Sequence, residues 1–213
     1  MNLTKSLPAV AVLVAALLAA GCGSSSSGGS GGNAAGTTGG SAATTTSGGG
    51  NGALSAEANS AATGDIPDNQ VFLVFTNHTA GYAMKYPEGW TQSGSGQSVT
   101  FNDKNNRVRV LIAGGPAPTP ASMTRELQSL KASTPSLSYQ PPHTVGLPAG
   151  PAVATTYTTL SAPNSVTGKR VLLIVNRYET AKGGKRATVD LGTPQGVDNK
   201  DAYRLIINSF RWQ

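Results

Sequence analysis

Hydrophobic positions fall into three regimes along the chain. Residues 7–20 form an almost unbroken apolar run, Leu7-Pro-Ala-Val-Ala-Val-Leu-Val-Ala-Ala-Leu-Leu-Ala-Ala20. Residues 23–64 hold no aromatic side chain, and their one charged residue is Glu57. From Val71 onward, short β-rich runs alternate with turn residues. Val71–Thr76 is expected to form a first strand, and Tyr82–Tyr86 a second that stops at Pro87-Glu88-Gly89. Val99–Phe101 and Arg107–Ala113 flank the turn-like Asn102–Asn106, which reads as a hairpin. Thr119 is the expected cap of a helix with Pro120 at its first position, where no backbone donor is needed. Met123, Leu127 and Leu130 then make one apolar stripe, and Pro135 limits the far end. Three more strands are expected at Ala152–Leu160, Arg170–Tyr178 and Arg186–Leu191. Val171–Val175 is apolar on both faces, which predicts a central strand covered on both sides. A two-residue turn at Gly183-Gly184 sets Arg177 opposite Asp190 and Tyr178 opposite Val189. A cross-strand ion pair of that kind contributes roughly 0.2–1 kcal/mol. A last helix is expected with Asp198 as cap, Asp201 in its first turn, and Ala202, Leu205, Ile206 and Phe210 as the buried stripe. The pattern is that of an α+β domain, an antiparallel sheet with helices packed on it.

The regimes translate into three segments: 1–21, an export signal; 22–64, a Gly-, Ser- and Thr-rich tether; and 65–213, a folded domain of ordinary size. The apolar run would rise only about 21 Å as a helix, short of the ~30 Å hydrocarbon core of a bilayer. It ends Leu18-Ala-Ala-Gly-Cys22, which resembles the lipobox of bacterial lipoproteins. That resemblance implies diacylglyceryl transfer to the Cys22 thiol, cleavage before Cys22 and a membrane anchor through the N-terminal lipid. Two or more acyl chains anchor stably where one does not. The tether lacks the apolar surface to offset its ordering entropy and is expected to stay disordered, with a root-mean-square span of roughly 35 Å.

Composition narrows the chemistry. One Cys in 213 residues excludes a disulfide framework and Cys-rich metal sites. Gly28-Gly-Ser-Gly-Gly32 matches the nucleophile elbow in letters only, since no strand or helix can flank it in such a tract. His78 and His143 have no second ligand at metal-binding spacing, and no pair of acids is marked as a general acid and base. Gly183-Gly-Lys-Arg186 lacks the spacing of a phosphate loop and sits between strands. No catalytic residue, metal or cofactor is therefore indicated. The whole chain carries a net charge of +6, and Val71–Gln213 has 15 basic against 7 acidic residues. Arg177, Lys182, Lys185 and Arg186 gather near the Gly183-Gly184 turn, a candidate surface for an anionic ligand or an acidic envelope protein. Export argues against nucleic acid.

Gly81-Tyr-Ala-Met-Lys-Tyr-Pro-Glu-Gly-Trp90 resembles the opening signature of the PsbP-like superfamily, an aromatic strand running into Pro-x-Gly-Trp. The order of the later elements, down to Ser209-Phe-Arg-Trp212, is similar too, and the resemblance points to the exported lipoproteins of this fold, including the LpqN type. The resemblance implies an α/β/α sandwich around a central antiparallel sheet, with helices on both faces. It also implies a binding or assembly role, because members are mostly described in those terms and share no catalytic motif. Tyr86 and Trp90 are then either packing residues or an aromatic contact patch. The function expected is a lipid-anchored binding domain on the extracytoplasmic side of the cell membrane. Two alternatives stay open. One is an envelope hydrolase, with His78 or His143 meeting a Ser or Asp in a cleft. The other is a carrier of a small apolar or anionic molecule, which needs a pocket of a few hundred Å3.

Overall fold

The computed structural model describes residues 63–163 and 166–213. The apolar run, Cys22, the tether through residue 62 and the Gly28–Gly32 motif lie outside them. The described elements run β1 (Phe72–Asn77), β2 (Tyr82–Pro87), β3 (Thr91–Ser95), β4 (Ser98–Asp103), β5 (Asn106–Gly114), α1 (Pro120–Ser133), β6 (Ser138–Tyr139), β7 (His143–Leu147), β8 (Gly150–Leu160), β9 (Leu172–Lys182), β10 (Lys185–Pro194), α2 (Lys200–Ser209) and β11 (Arg211–Trp212). An eight-stranded antiparallel sheet has the order β3-β4-β5-β10-β9-β8-β6, with β7 also paired to β8, and a three-stranded sheet has the order β1-β2-β11.

Alternation along the strands divides the large sheet into two faces with different covers. Val108, Val110 and Ile112 of β5 and Ala187, Val189 and Leu191 of β10 point into a first core. Tyr82 and Met84 of β2 and Tyr203, Ile206, Ile207 and Phe210 of the α2 segment close it from the other side. Tyr82 stacks on Phe210 at 5.5 Å between ring centroids. The opposite face meets α1: Met123 and Leu127 pack on Val153, Tyr157, Leu173 and Val175 in a second core. The architecture is thus mostly antiparallel β-structure with two helices. The first face shares its cover between α2 and the small sheet, where helices had been expected.

Several local expectations shift for identifiable reasons. The strand buried on both faces is β10, from Ala187 to Pro194, whereas Val171–Val175 alternates buried and half-buried positions. The strand β9 lies nearer the edge, and one of its faces opens on a groove. Thr119 caps α1 as expected, in a reciprocal box with Ser122, but Leu130 is 36% exposed and leaves the stripe. The residue at the cap of α2 is Asn199, not Asp198. Its buried stripe is Tyr203, Ile206, Ile207 and Phe210, with Leu205 turned outward. Tyr203 is admitted to the core because its hydroxyl donates to the Gly192 carbonyl, a partner that hydrophobicity alone does not reveal. The strand β3 is wholly exposed and polar, so it carries no apolar alternation to read.

Asn199 does more than start a helix. Its Oδ1 accepts from the Ile66 backbone N–H at 2.8 Å, and its Nδ2 reaches Gly64 O, Asn106 Oδ1 and Thr193 Oγ1. Gly64, placed above in the tether, is buried in this knot. Buried polar groups stripped of a partner cost roughly 1–3 kcal/mol each. Asn199→Ala should therefore lower unfolding free energy in urea by about 2–3 kcal/mol. Asp198→Ala, an exposed site whose Oδ1 accepts from the Lys200 backbone, should cost under about 1 kcal/mol. Equal losses would contradict this account.

A second buried polar group lies under α1. Glu179 of β9 is fully buried, and its Oε2 finds no hydrogen-bond donor among the described residues. It faces Glu126 of α1, Arg186 at 3.9 Å and Thr188, with Arg177 farther along the same strand. Arg186 is held closer to Glu126, at 2.7 Å. Burial, and then the charge of Glu126, push the Glu179 carboxyl up to about 7, so its proton is held more firmly there than in water. The folded protein binds that proton more tightly than the unfolded chain. Its stabilising effect is complete below the unfolded carboxyl range and fades as pH rises through about 7. Glu179→Gln should flatten the stability profile between about pH 5 and 8 and exceed the wild type at pH 8 by about 2 kcal/mol. Urea titrations at stepped pH would read this, and a wild-type profile already flat over that range would refute it.

Candidate functional site

The strand β10 sits between β5 and β9, and the two registers converge on one residue. Asp190 pairs with Arg109 on β5 and with Arg177 on β9. Thr100 and Thr155 extend the row outward on β4 and β8. Arg177 Nε donates to Asp190 Oδ1 at 2.7 Å and its Nη2 to Oδ2 at 3.0 Å. Arg109 donates to Oδ2 from Nη2 at 2.6 Å and from Nε at 3.2 Å. The Arg177 side chain is 4% exposed and that of Arg109 31%. The Arg177 guanidinium also lies over the Tyr157 ring, 5.2 Å from its centroid.

The electrostatics follow from this geometry. Burial raises the Asp190 carboxyl, but the charge and hydrogen bonds of Arg177, and then Arg109, outweigh it and hold the group below the usual carboxylate range. Burial lowers Arg177, and the Asp190 charge more than reverses that. Burial, and then the Asp190 charge, push the Tyr157 hydroxyl up to about 12, so it stays neutral at physiological pH. At neutral pH Asp190 therefore stands as a carboxylate against the Arg177 guanidinium.

This row floors an open cleft of about 550 Å3 beside α1. Arg107 and Asn102 line its β4–β5 end, and Leu130, Leu137 and Leu160 the other. A second cleft, of about 670 Å3, opens on the opposite face between α2 and the β7–β9 end of the sheet, over Ile174, Asn176, Tyr178 and Tyr203. Among the described residues no three His, Cys, Asp or Glu side chains come together as a metal site.

The residues singled out from sequence are distributed among these features. Strand alternation separates the four basic residues that had been grouped at the hairpin. Arg177 and Arg186 lie on the α1 side, engaged with Asp190 and Glu126. Lys182 and Lys185 are exposed on the turn, and Lys185 Nζ donates to Ala80 O at 3.2 Å. Trp90 is 8% exposed in the first core, which leaves little of it to touch a partner, and Tyr86 is half-buried and stacked on Phe101 at 4.3 Å. His78 and His143 are exposed and line neither cleft. Sequence reading passed over Arg107, Arg109 and Tyr157. The alternation Arg107-Val-Arg-Val110 did carry a signal, two arginines on the strand face opposite two core valines.

The row predicts an asymmetric mutational response. Asp190→Ala leaves two guanidiniums without their acid and should cost about 3–5 kcal/mol in denaturant unfolding. Arg109→Gln leaves Asp190 paired with Arg177 and should cost about 1 kcal/mol. Comparable losses from the two substitutions would show that the row is not organised around the carboxylate.

No protein-family model matches the chain, and no curated protein matches it. Solved structures do. The solution structure of cyanobacterial PsbP (CyanoP) from Synechocystis sp. is similar at a TM-score of 0.52 and 17% identity, covering 70% of this chain and 98% of that one. The Saccharomyces cerevisiae Ran-binding protein Mog1p is similar at a TM-score of 0.45 and 5% identity, covering 67% and 95%. At this identity the likeness to PsbP is one of fold, and the fold of the described residues is PsbP-like.

Proposed function

We propose that this chain is a lipid-anchored cell-envelope protein, of the LpqN-type lipoproteins it resembles, whose PsbP-like domain binds a partner rather than catalysing a reaction. Its finer architecture is then the α/β/α sandwich of that superfamily, with α1 on one face of the large sheet and α2 on the other. The observation that carries the binding reading is the state of the cleft floor. Its charged groups are already committed to one another, with Asp190 held ionised between two arginines, an arrangement suited to recognition and unsuited to moving protons. Cys22 carries the anchoring reading, through the Leu18-Ala-Ala-Gly-Cys22 segment. The domain then stands on its tether at the extracytoplasmic side of the cell membrane, where an envelope protein or an anionic ligand is the partner, without cofactor and without nucleic acid.

A second reading, carriage of a small molecule, is favoured by the two open clefts, whose volumes of about 550 and 670 Å3 suit ligands. Two measurements test the proposal. Labelling with a radioactive fatty acid in a bacterial host should mark the wild type and leave Cys22→Ala unlabelled; a label on both would end the anchoring reading. Pull-down from solubilised envelopes should recover a specific protein whose capture falls when Lys182 and Lys185 are reversed to Glu. Recovery of nothing, together with turnover of an envelope substrate, would replace binding by catalysis.

A further inference from the structure

The cleft beside α1 is chemically graded from end to end. On its β5 side stand Arg107 and Arg109, two residues apart on one strand face. On its far side stand Leu130, Leu137, Leu160 and the Tyr157 ring. Asp190 is the one acid among its lining residues, and two guanidiniums already share it. Arg109 engages Asp190 through Nε and Nη2, which leaves its Nη1 without a hydrogen-bond partner among the described residues, whereas Arg177 is buried between Asp190 and Tyr157. Arg107 is exposed and pairs with no acid among them. The β5 end therefore holds a surplus of positive charge in planar donors that fit a carboxylate or phosphate edge-on.

The middle of the cleft joins the two ends. Directly across from Arg107 on β10 is Gly192. A Cβ there would sit 3.5 Å from Val175 Cγ2 and 3.9 Å from the Arg107 Cβ, so its absence leaves a shallow recess between the cationic and apolar ends. A ligand that is only an anion leaves the leucine end uncovered, and one that is only apolar leaves the arginine end without an acid.

We infer that this cleft takes a single-chain acidic amphiphile. An anionic head, phosphate or carboxylate, sits at Arg107 and Arg109, and a hydrocarbon chain runs over the Gly192 recess toward Leu130 and Leu160, the exposed leucines of the far end. This rests on the binding-domain reading above and adds to it the class of ligand and the place where it binds. Arg107 is the discriminating residue, because it reaches the head while bearing no structural load, whereas Arg177 is fixed by Asp190 and Tyr157.

The test is calorimetric titration of the whole chain carrying Cys22→Ser, so that no attached acyl group competes. The probes are dodecyl phosphate, dodecanoate, dodecyl maltoside and inorganic phosphate, each below its micelle concentration where it has one. At least one acidic amphiphile should bind one to one and about tenfold more tightly than dodecyl maltoside or inorganic phosphate. The tighter of the two acids tells a phospholipid-like head from a fatty acid. Arg107→Gln should weaken that binding about tenfold, leaving the affinity for dodecyl maltoside and the Tm unchanged. Equal affinity for dodecyl maltoside, equal affinity for inorganic phosphate, or full acidic-amphiphile binding by Arg107→Gln would each overturn the inference. So would absence of binding by every amphiphile; if an envelope protein is still captured in the pull-down, the binding-domain reading survives that result and only this site falls.

Discussion

A carboxylate in a strand with no wet side constrains everything around it. The strand β10 is buried from Ala187 to Pro194, and Asp190 stands in the middle of that run. An isolated charge there would cost many kcal/mol, so a neighbouring strand must bring a cation to the same level of the sheet, and here both do. That requirement is met only in one register on each side. Sliding β5 or β9 by one residue would send its arginine into the first core and a core valine or tyrosine to the carboxylate. The ion pairs thus act less as a source of net stability than as a lock on strand alignment, and the two cores inherit their composition from that alignment.

The clefts are the other side of the same geometry. An eight-stranded sheet is wider than one helix of ten to fourteen residues can cover. The helix α1 covers β8 and β9 on one side, and α2 with the small sheet covers β5 and β10 on the other. What remains uncovered is a strip on each face, and the two strips differ in character. The strip beside α1 exposes the flank of the arginine row. The strip beside α2 exposes Ile174, Tyr178 and the bonded pair Thr156–Asn176. The fold offers two surfaces of unlike chemistry, each completed by the loops at its rim.

What was legible in the sequence was local. Gly183-Gly184, both at positive φ, fixes the β9–β10 turn, and with it Arg177 opposite Asp190 follows from counting. Thr119-Pro120 marks a helix start because its capping partners lie within one turn. What was not legible depended on distant chain. Arg109 joins Asp190 only through β5–β10 pairing, which no turn connects. Asn199 was passed over as a cap in favour of Asp198 because its partners, Gly64, Ile66 and Asn106, come from the other end of the domain. The same cause hid Tyr203 behind Leu205, since the carbonyl that accepts its hydroxyl belongs to another element. The resemblance carried by Gly81–Trp90 anticipated the fold, although Trp90 lies within its core.

The sealing of the first core has a consequence for when this fold can exist. Phe210 stacks on Tyr82, Arg211 and Trp212 pair with Ala83 and Tyr82, and the Gln213 N–H closes on the Gly81 carbonyl. Synthesis and any threading through a translocation channel run from the N-terminus, so β2 emerges long before these residues do. Until they arrive, Tyr82 lacks the ring that covers it and β2 has one open edge. Non-local pairing of this kind is slow to form in any case. The segment from residue 210 onward is therefore the last part of the first core to be made, and the cover of Tyr82 waits for it.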